Sequence, residues 1–555
     1  MKQELSAVIS DTIKEFLLEK ERKDVAVPKF DVDVPQNEKH GDYATNVAFL
    51  LAPKLGGAPM EVAEQLVERF RREQYAKYIK KVDAAPPGFI NFRLSNTVLE
   101  EGIRYILDKG DLFGTSPAGR KRKVNVEFIS ANPTGPLHLG NGRGAFLGDV
   151  LANVLAASGY TVTREYYIND QGNQIDMLGD SVTRRYLQLQ GLNVPYPEEC
   201  YQGDYIKTIA SGLRLRNYKL TEQSKMEKIR ERVKELALTK MLDDIRRLVE
   251  KKLKIKMDVW FSERQMYESG EVDELLQYVK KSELLYKSEG AWWMRTSRFG
   301  DDKDRVLIKD DGSPTYFLSD IVYLYDKLLK RKFRRAIILL GADHHGYINR
   351  LHAVEEALTN EKGRLNIVIM QLVRLIEAGI EIRMSKRKGK FVTLEDVIDD
   401  VGLDVTRFFF LMHAPGTHMD FDLSLARDRS EKNPVYYVQY AHARIANILQ
   451  QPEVKAVIGV KFSRGVQITE DAERALVFEL LKYPDLVQEV AGSYEVQRLP
   501  FYAMDIARTF HTFYAQCRVI DQGKIHESRV AIVQATKIVL ANILKLMGVT
   551  APTRL

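Results

Sequence analysis

Residues 126–141 read VEFISANPTGPLHLGN, and the residue pattern changes twice within this stretch. Val124, Val126 and Phe128 alternate with Asn125, Glu127 and Ile129, the period-two pattern of a strand. Pro133, Gly135 and Pro136 then force a loop, and a helix is expected to open near Gly140 or Asn141 and run to Ser158. Gly159 punctuates, and residues 161–168 return to a strand pattern. Strand, glycine-containing loop, helix and strand in this order begin a doubly wound parallel α/β sheet. Two further apolar strands, at 336–340 before Gly341 and at 367–372, supply its second half.

Working outward, residues 1–115 read as an α+β unit. It holds an opening helix, a turn-rich segment at 35–42, and a second helix at 60–78 with Val62, Leu66, Val67 and Phe70 at helical spacing. Pro86, Pro87 and Gly88 lead into a short strand at 89–94. A catalytic-type α/β domain is expected over 116–375, interrupted at about 190–290 by a helical insertion whose main feature is a charged amphipathic helix at 225–253. A loop-bearing segment covers 376–429. Residues 430–555 are expected to form an all-α bundle with helices at 435–449, 471–490, 501–520 and 528–547.

The chain has 555 residues, 45% hydrophobic and 29% charged, which is the ordinary globular range. Its formal charge of +7 suits a polyanionic partner without requiring one. Two cysteines, Cys200 and Cys517, are too few for a disulfide framework or a cysteine-rich zinc site. Residues 1–20 form a charged amphipathic stretch unlike a signal peptide, and no run of about 18 consecutive apolar residues occurs. The expectation is a soluble protein of a reducing compartment, with no membrane partner.

Two stretches can do chemistry. A helix N-terminus beyond the carboxyl end of a parallel strand offers free N–H groups to an anion. Gly140 and Gly142 let a base or phosphate approach the backbone, and His138 and Asn141 can add donors. There is no GxxxxGK[ST] or GxGxxG pattern here, so ordinary phosphate-loop and dinucleotide readings lose ground. Taken alone, the string reads better with His138 as a satisfied turn residue and the glycines as punctuation; its place, straight after a strand and opening a helix, reverses that preference. The second stretch, RMSKRKGK at 383–390, carries five basic residues. Most such runs are solvated surface. A cationic loop can also close on a triphosphate and offset charge that develops in the transition state.

Together these stretches resemble the paired HIGH and KMSKS motifs of class I aminoacyl-tRNA synthetases, here HLGN (138–141) and RMSKR (383–387). Asn141 replaces the second histidine, keeping a donor but not a charge; Arg383 replaces the first lysine and keeps its charge. The resemblance narrows to the bacterial type of arginyl-tRNA synthetase. It rests on NEKHGDYATNVAF (37–49), FGDDKDRVLIKDDGSPTYFLSDI (299–321), GADHHGYI (341–348), VQYAHARI (438–445), HTFYAQCRVI (511–520) and the closing GVTAP (548–552). It implies a Rossmann-type catalytic sheet, and ATP with Mg2+, L-arginine and tRNA(Arg) as partners. A cytoplasmic enzyme is expected, monomeric and without a tightly bound protein metal.

By that resemblance His138, Asn141, Lys386 and Arg383 are catalytic, and Pro136, Gly140, Met384 and Ser385 help hold ATP. Glu127, Ser130, Tyr316 and Asp320 are expected around the arginine side chain. Asn132 is expected at its α-amino or carboxylate end, and Asp343 near the amino acid or the ribose. Phe89 and Asn91 are expected at the tRNA elbow, Tyr437 and Arg444 at the anticodon. Physical chemistry supports part of this independently. A guanidinium calls for planar carboxylate partners, Glu127 ends the first strand, and Tyr316 and Asp320, four apart, share a helix face. The plainer alternatives are a buried ion pair for Glu127, a cap or surface charge for Asp320, and core packing for Tyr437. Two rival functions remain: a metal phosphoesterase at Asp343, His344 and His345, and an RNA-binding module without catalysis.

Overall fold

A computed structural model describes residues 1–214, 223–382, 392–458 and 465–554. Its centre is a five-stranded, wholly parallel sheet. The strands run in the order Leu365–Met370, Arg335–Gly341, Lys123–Glu127, Thr161–Ile168, Val259–Ser262. The first strand in sequence is thus central, and the chain winds away from it to both sides. The reversal falls between Lys123–Glu127 and Arg335–Gly341, the place where open α/β sheets bind ligands beyond their strand ends.

The helix that follows the first strand, Leu139–Ala157, is called the motif helix below. It lies unusually close to the sheet, because a Cβ on Gly148 would stand 2.2 Å from Cγ of Phe128. Val124, Val126 and Phe128 are fully buried on that face. The opposite face is buried too, but it carries Asn125, Glu127 and Glu165, so its packing depends on polar partners.

Observed boundaries follow the sequence expectations closely at the motif helix and at the strands on either side of it. They differ elsewhere for identifiable reasons. The first strand stops at Glu127 because Ile129 and Ser130 both adopt positive φ. The expected helix at 471–490 is two helices, Asp471–Leu481 and Tyr483–Ser493, with Pro484 in the first turn of the second. The expected insertion at 190–290 is helical only in part. Its Val259–Ser262 segment is the edge strand of the central sheet, and Leu285–Ser288, Ala291–Met294 and Arg305–Ile308 form a separate antiparallel sheet.

The N-terminal unit is a four-stranded antiparallel sheet covered by the helices Lys2–Glu19, Val47–Leu55 and Pro59–Phe70. It docks on the C-terminal bundle through a buried fork: Arg474 Nη1 and Nη2 donate to Asp42 Oδ1 and Oδ2 at 2.9 and 2.6 Å. The bundle is tied in turn to the motif helix. Arg407, 1% exposed, donates to Asp149 Oδ2 (2.6 Å), to the Met547 carbonyl (3.1 Å) and to the Leu253 carbonyl (2.8 Å). The last helix, Glu527–Met547, is long and apolar enough to cross a bilayer by composition, but 67% of its apolar window is buried inside the protein.

Candidate functional site

The loop leaving the central strand is strained and pinned. Ser130 N–H donates to the Phe128 carbonyl (3.0 Å) across Ile129 at φ +70°, and Ser130 itself has φ +38°. A β-branched residue there is costly and persists only where its surroundings fix it. Those surroundings are visible. Ser130 Oγ accepts from Tyr167 N (3.1 Å), the Tyr166 hydroxyl donates to the Ala131 carbonyl (2.8 Å), and the Tyr205 hydroxyl donates to the Thr134 carbonyl (2.7 Å). Asn132 Nδ2 donates to Gln174 Oε1 at 2.8 Å. The turn throws the chain clear of the sheet, and Pro136 leads it into the motif helix.

His138 is the N-cap of that helix, with extended φ and ψ. Its N–H donates to Asn141 Oδ1 at 3.0 Å. Asn141 therefore spends its oxygen on the cap, which leaves its Nδ2 as the donor for a ligand. A Cβ on Gly140 would lie 3.0 Å from His138 Cε1, so any larger residue would displace the imidazole.

Arg383, Met384, Ser385 and Lys386 lie outside the described residues, but both flanks of that segment are described. On one side, Ile382 N donates to the Leu375 carbonyl at 2.8 Å. On the other, Thr393 forms an antiparallel backbone bridge with His138, and Leu394 N donates to the Leu137 carbonyl at 2.9 Å. Leu394 packs so closely on Gly142 that a Cβ there would stand 2.6 Å from its Cδ1. Thr393 and Asp396 form a capping box that starts the helix Leu394–Val401 at this point.

The neighbouring face of the sheet holds an acidic pocket. The helix Tyr316–Tyr325, the pocket helix, places Tyr316 at its first turn, 80% exposed, and Asp320 one turn further in, partly buried. The Tyr347 hydroxyl donates to Asp320 Oδ2. Burial pushes the Asp320 carboxyl up to about 7 against that hydrogen bond; the Glu263 and Glu127 charges add to the rise and Arg350 opposes it. Glu263, 7% exposed, follows the edge strand, and Ser262 caps its helix. In the amide orientation that satisfies both ends, Asn169 donates to Glu263 Oε2 at 3.1 Å. Burial, then Glu263, Asp320 and Glu127 in turn, push the Tyr167 phenol far above its ordinary range.

Glu127 is 5% exposed and already partnered: Lys327 Nζ bonds its Oε2 and Ser130 Oγ donates to its Oε1 at 3.2 Å. The plainer reading of this residue, a buried ion pair with a basic side chain, is therefore part of its structure. Behind it, burial pushes the Glu165 carboxyl up, yet Lys327 and Arg331 outweigh burial and hold it below the usual range. Asp343 lies on the rim, its side chain 82% exposed and 3.6 Å from His344 Nε2. It belongs to the short helical segment Ala342–Tyr347, whose last residue bonds Asp320. Among the described residues, no group of three or more His, Cys, Asp and Glu side chains is arranged to hold a metal ion.

The structure thus brings Glu127, Ser130 and Asp320 together. Asn132, Pro136, His138, Gly140 and Asn141 line one continuous loop and helix start, with Tyr316 and Asp343 at exposed positions. Glu263, Lys327, Tyr167 and Tyr347 were not singled out by sequence reasoning. Tyr347 lies inside the GADHHGYI stretch, whereas Glu263 was read as part of the insertion.

Two surfaces lie apart from this site. Phe89, 41% exposed, stacks edge-on against Phe49 (5.1 Å), and Asn91 follows on the same strand. In the bundle, Tyr437 packs on His511 (5.4 Å between centroids), and the Arg444 guanidinium lies over Tyr514 (4.4 Å) and Tyr440 (6.0 Å).

Comparison with known proteins covers nearly all of this architecture. Residues 3–94 match the arginyl tRNA synthetase N terminal domain, residues 103–407 the class I (R) tRNA synthetase catalytic domain, and residues 438–555 the DALR anticodon binding domain. The arginine–tRNA ligase of Shouchella clausii is 43% identical over 541 residues, covering 95% of each chain. That of Bacillus subtilis is 43% identical over 563 residues, covering 100% of this chain and 98% of its own. The solved arginyl-tRNA synthetase of Thermus thermophilus shares the fold, with a TM-score of 0.74 at 21% identity and full coverage of both chains.

Proposed function

Because the chain belongs to the arginyl-tRNA synthetase family and charges tRNA(Arg) with arginine, we propose a division of labour among its residues for the two steps of that reaction. In the first, the arginine carboxylate attacks the α-phosphate of Mg-ATP and pyrophosphate leaves, giving arginyl-adenylate. In the second, the 2′-hydroxyl of the terminal tRNA adenosine attacks the activated carbonyl and AMP leaves. No side-chain nucleophile is required, so the protein's contribution is positioning and charge stabilisation.

His138, the Asn141 amide and the N-terminus of the motif helix receive the triphosphate. Lys386 and Arg383 neutralise the charge that builds on the α-phosphate and on departing pyrophosphate. Pro136, Gly140, Met384 and Ser385 shape the nucleotide site. Asp320 and Glu263 meet the guanidinium, Tyr316 covers it, and Glu127 with Ser130 forms the floor. Asn132 and Asp343 hold the α-amino end and the ribose. Phe89 and Asn91 contact the tRNA elbow, and Tyr437 and Arg444 the anticodon. The enzyme works as a cytoplasmic monomer.

The observation that carries the arginine assignment is the pocket's charge. Asp320 stands in the field of Glu263 and Glu127, and its hydrogen bond comes from the neutral Tyr347 phenol. A guanidinium, always charged and able to bond two carboxylates at once, suits that arrangement. Lysine leaves part of it unpaired, and such sites discriminate by ~10⁴-fold or more. ATP–pyrophosphate exchange with each amino acid, with and without total tRNA, tests the reading. Exchange with arginine alone supports it, and exchange with any other amino acid at comparable kcat/KM overturns it.

A further inference from the structure

Lys327 is a fully enclosed cation and takes no part in either step above. It is 0% exposed and sits in the π-turn Asp326–Lys330 that closes the pocket helix. Its Nζ bonds Glu127 Oε2, stands 3.6 Å from Glu165 Oε1, and lies 4.0 Å from the centroid of the Tyr323 ring. Glu165 has other partners: Arg331 bonds both its oxygens and the Tyr323 hydroxyl donates to it at 2.5 Å. Among the described residues Glu127 has no second base. Apart from Lys327, its hydrogen bond is to the neutral Ser130 hydroxyl.

We propose that Lys327 is a positioning and specificity-determining residue of the arginine pocket: by standing permanently on Glu127 it cancels one of three acids, so that the substrate cation meets Asp320 and Glu263. The inference rests on the pocket assignment above and deepens it. Its physical content is a count of charge. Glu127, Asp320 and Glu263 share one desolvated space, and like charges so placed cannot all stay ionised without a cation among them. With Lys327 on Glu127 and Arg350 opposing the rise of Asp320, one guanidinium completes the balance against the three carboxylates. Without it, an arriving guanidinium finds one carboxylate too many, and Asp320 keeps its proton to higher pH.

The groups facing Asp320 are few and can be named. They are Tyr347 and Arg350 from the segment after the strand Arg335–Gly341, and Glu263 and Tyr267 from the helix after the edge strand. Glu127 and Tyr167 face it from the sheet. Arg350 opposes the rise of Asp320, and its guanidinium lies over the Tyr347 ring at 4.6 Å. Of these, only Glu127 touches Lys327, so a substitution at 327 reaches Asp320 through that one carboxylate.

The test is the pH dependence of the arginine KM in pyrophosphate exchange, with tRNA present, for the full-length enzyme and its K327M, K327R, K327M/E127Q and D320N variants. In the parent enzyme KM falls as pH rises through about 7. In K327M the midpoint is expected to move up by at least one pH unit, with KM at pH 7 raised about fivefold or more and kcat lowered by less than KM is raised. K327R returns part of the shift. K327M/E127Q removes both charges, should tolerate the change where K327M alone fails to fold, and brings the midpoint back to the parent value or below it. An unshifted midpoint in K327M overturns the proposal, as does a double variant whose midpoint lies above the parent's. D320N separates the two levels. If it leaves the arginine KM unchanged, the pocket assignment itself is wrong; if it raises KM while K327M does nothing, only the role of Lys327 falls.

Discussion

The backbone of His138 pairs with that of Thr393 in an isolated antiparallel bridge, joining the two motif-bearing segments across the molecule. Lys386 stands seven positions before Thr393 in the sequence. The cap of the motif helix and the flank of the RMSKR stretch are therefore one local structure, reinforced by the Leu394–Leu137 hydrogen bond and by the close contact of Leu394 with Gly142. Each nucleotide-site residue proposed above depends on this junction.

Gly142→Val tests the junction mechanically. The added side chain enters space held by Leu394, where even a Cβ would stand 2.6 Å from Cδ1. The expected result is a loss of exchange turnover of at least ~10-fold, of the size a small misplacement of reacting groups produces. Arginine binding, followed by intrinsic fluorescence, should change by less than threefold, since the pocket lies on another face of the sheet.

Lys386→Ala should lower the turnover of pyrophosphate exchange by ~10²-fold or more, in the range for removing one charge-stabilising donor, with arginine affinity nearly unchanged. Unchanged turnover would take Lys386 out of the transition state.

The Asp320 carboxyl, raised by burial to about 7 in the folded protein, gives a signed pH effect. Its ordinary value is near 3.9, so the fold favours the protonated form. That contribution to stability is full below about 3.9 and lost as pH rises through about 7. Arginine requires the carboxylate, so its binding strengthens over the upper part of that window with release of a proton. The rise in melting temperature caused by saturating arginine should grow between pH 6 and 8. In Asp320→Asn this pH dependence should disappear.

Glu263→Gln should raise the arginine KM by ~10-fold or more, the cost of removing one charged hydrogen-bonding partner from a buried site, and leave the ATP KM within about twofold. Equal effects on both substrates would place Glu263 outside the pocket.

Arg407→Met addresses the link between the bundle and the motif helix. It removes the guanidinium from Asp149 Oδ2, leaving among the described residues only Arg164 at 3.5 Å from Oδ1, and frees the Met547 and Leu253 carbonyls; breaking one side of a buried ion pair typically costs about 3–5 kcal/mol. Chemical denaturation should show a loss of that order. A loss under 1 kcal/mol would mean that the packing of the two domains, rather than this guanidinium, holds them together.

The central strand, the loop and the motif helix were legible because each carries a strong local signal: period-two alternation, paired prolines and glycines, then a long apolar run ended by Gly159. Glu127 was legible at the end of its strand, His138 in the loop before the motif helix, and Asp320 by its four-residue spacing from Tyr316; the roles expected of them came from the family resemblance. Glu263 was not. Its edge strand has four half-buried residues, Val259 to Ser262, too few to show a period, and it sits amid helical, charged sequence. Lys327 was hidden for a different reason: a single lysine ending an apolar helix looks like a solvated surface charge, and its burial arises only when Glu127 and Glu165 arrive from other strands. The break at Pro484 and the small sheet formed by Leu285–Ser288, Ala291–Met294 and Arg305–Ile308 were missed because short elements depend on their neighbours more than on their own composition.

Convergence of the two motifs on one reacting phosphate is best tested by a double-mutant cycle in single-turnover adenylate formation with His138→Ala, Lys386→Ala and the pair. Groups that stabilise the same developing charge are expected to be non-additive. The double variant should lose less than the sum of the single losses, by at least ~1 kcal/mol. Strict additivity, with each substitution acting as though the other residue were intact, would contradict the account.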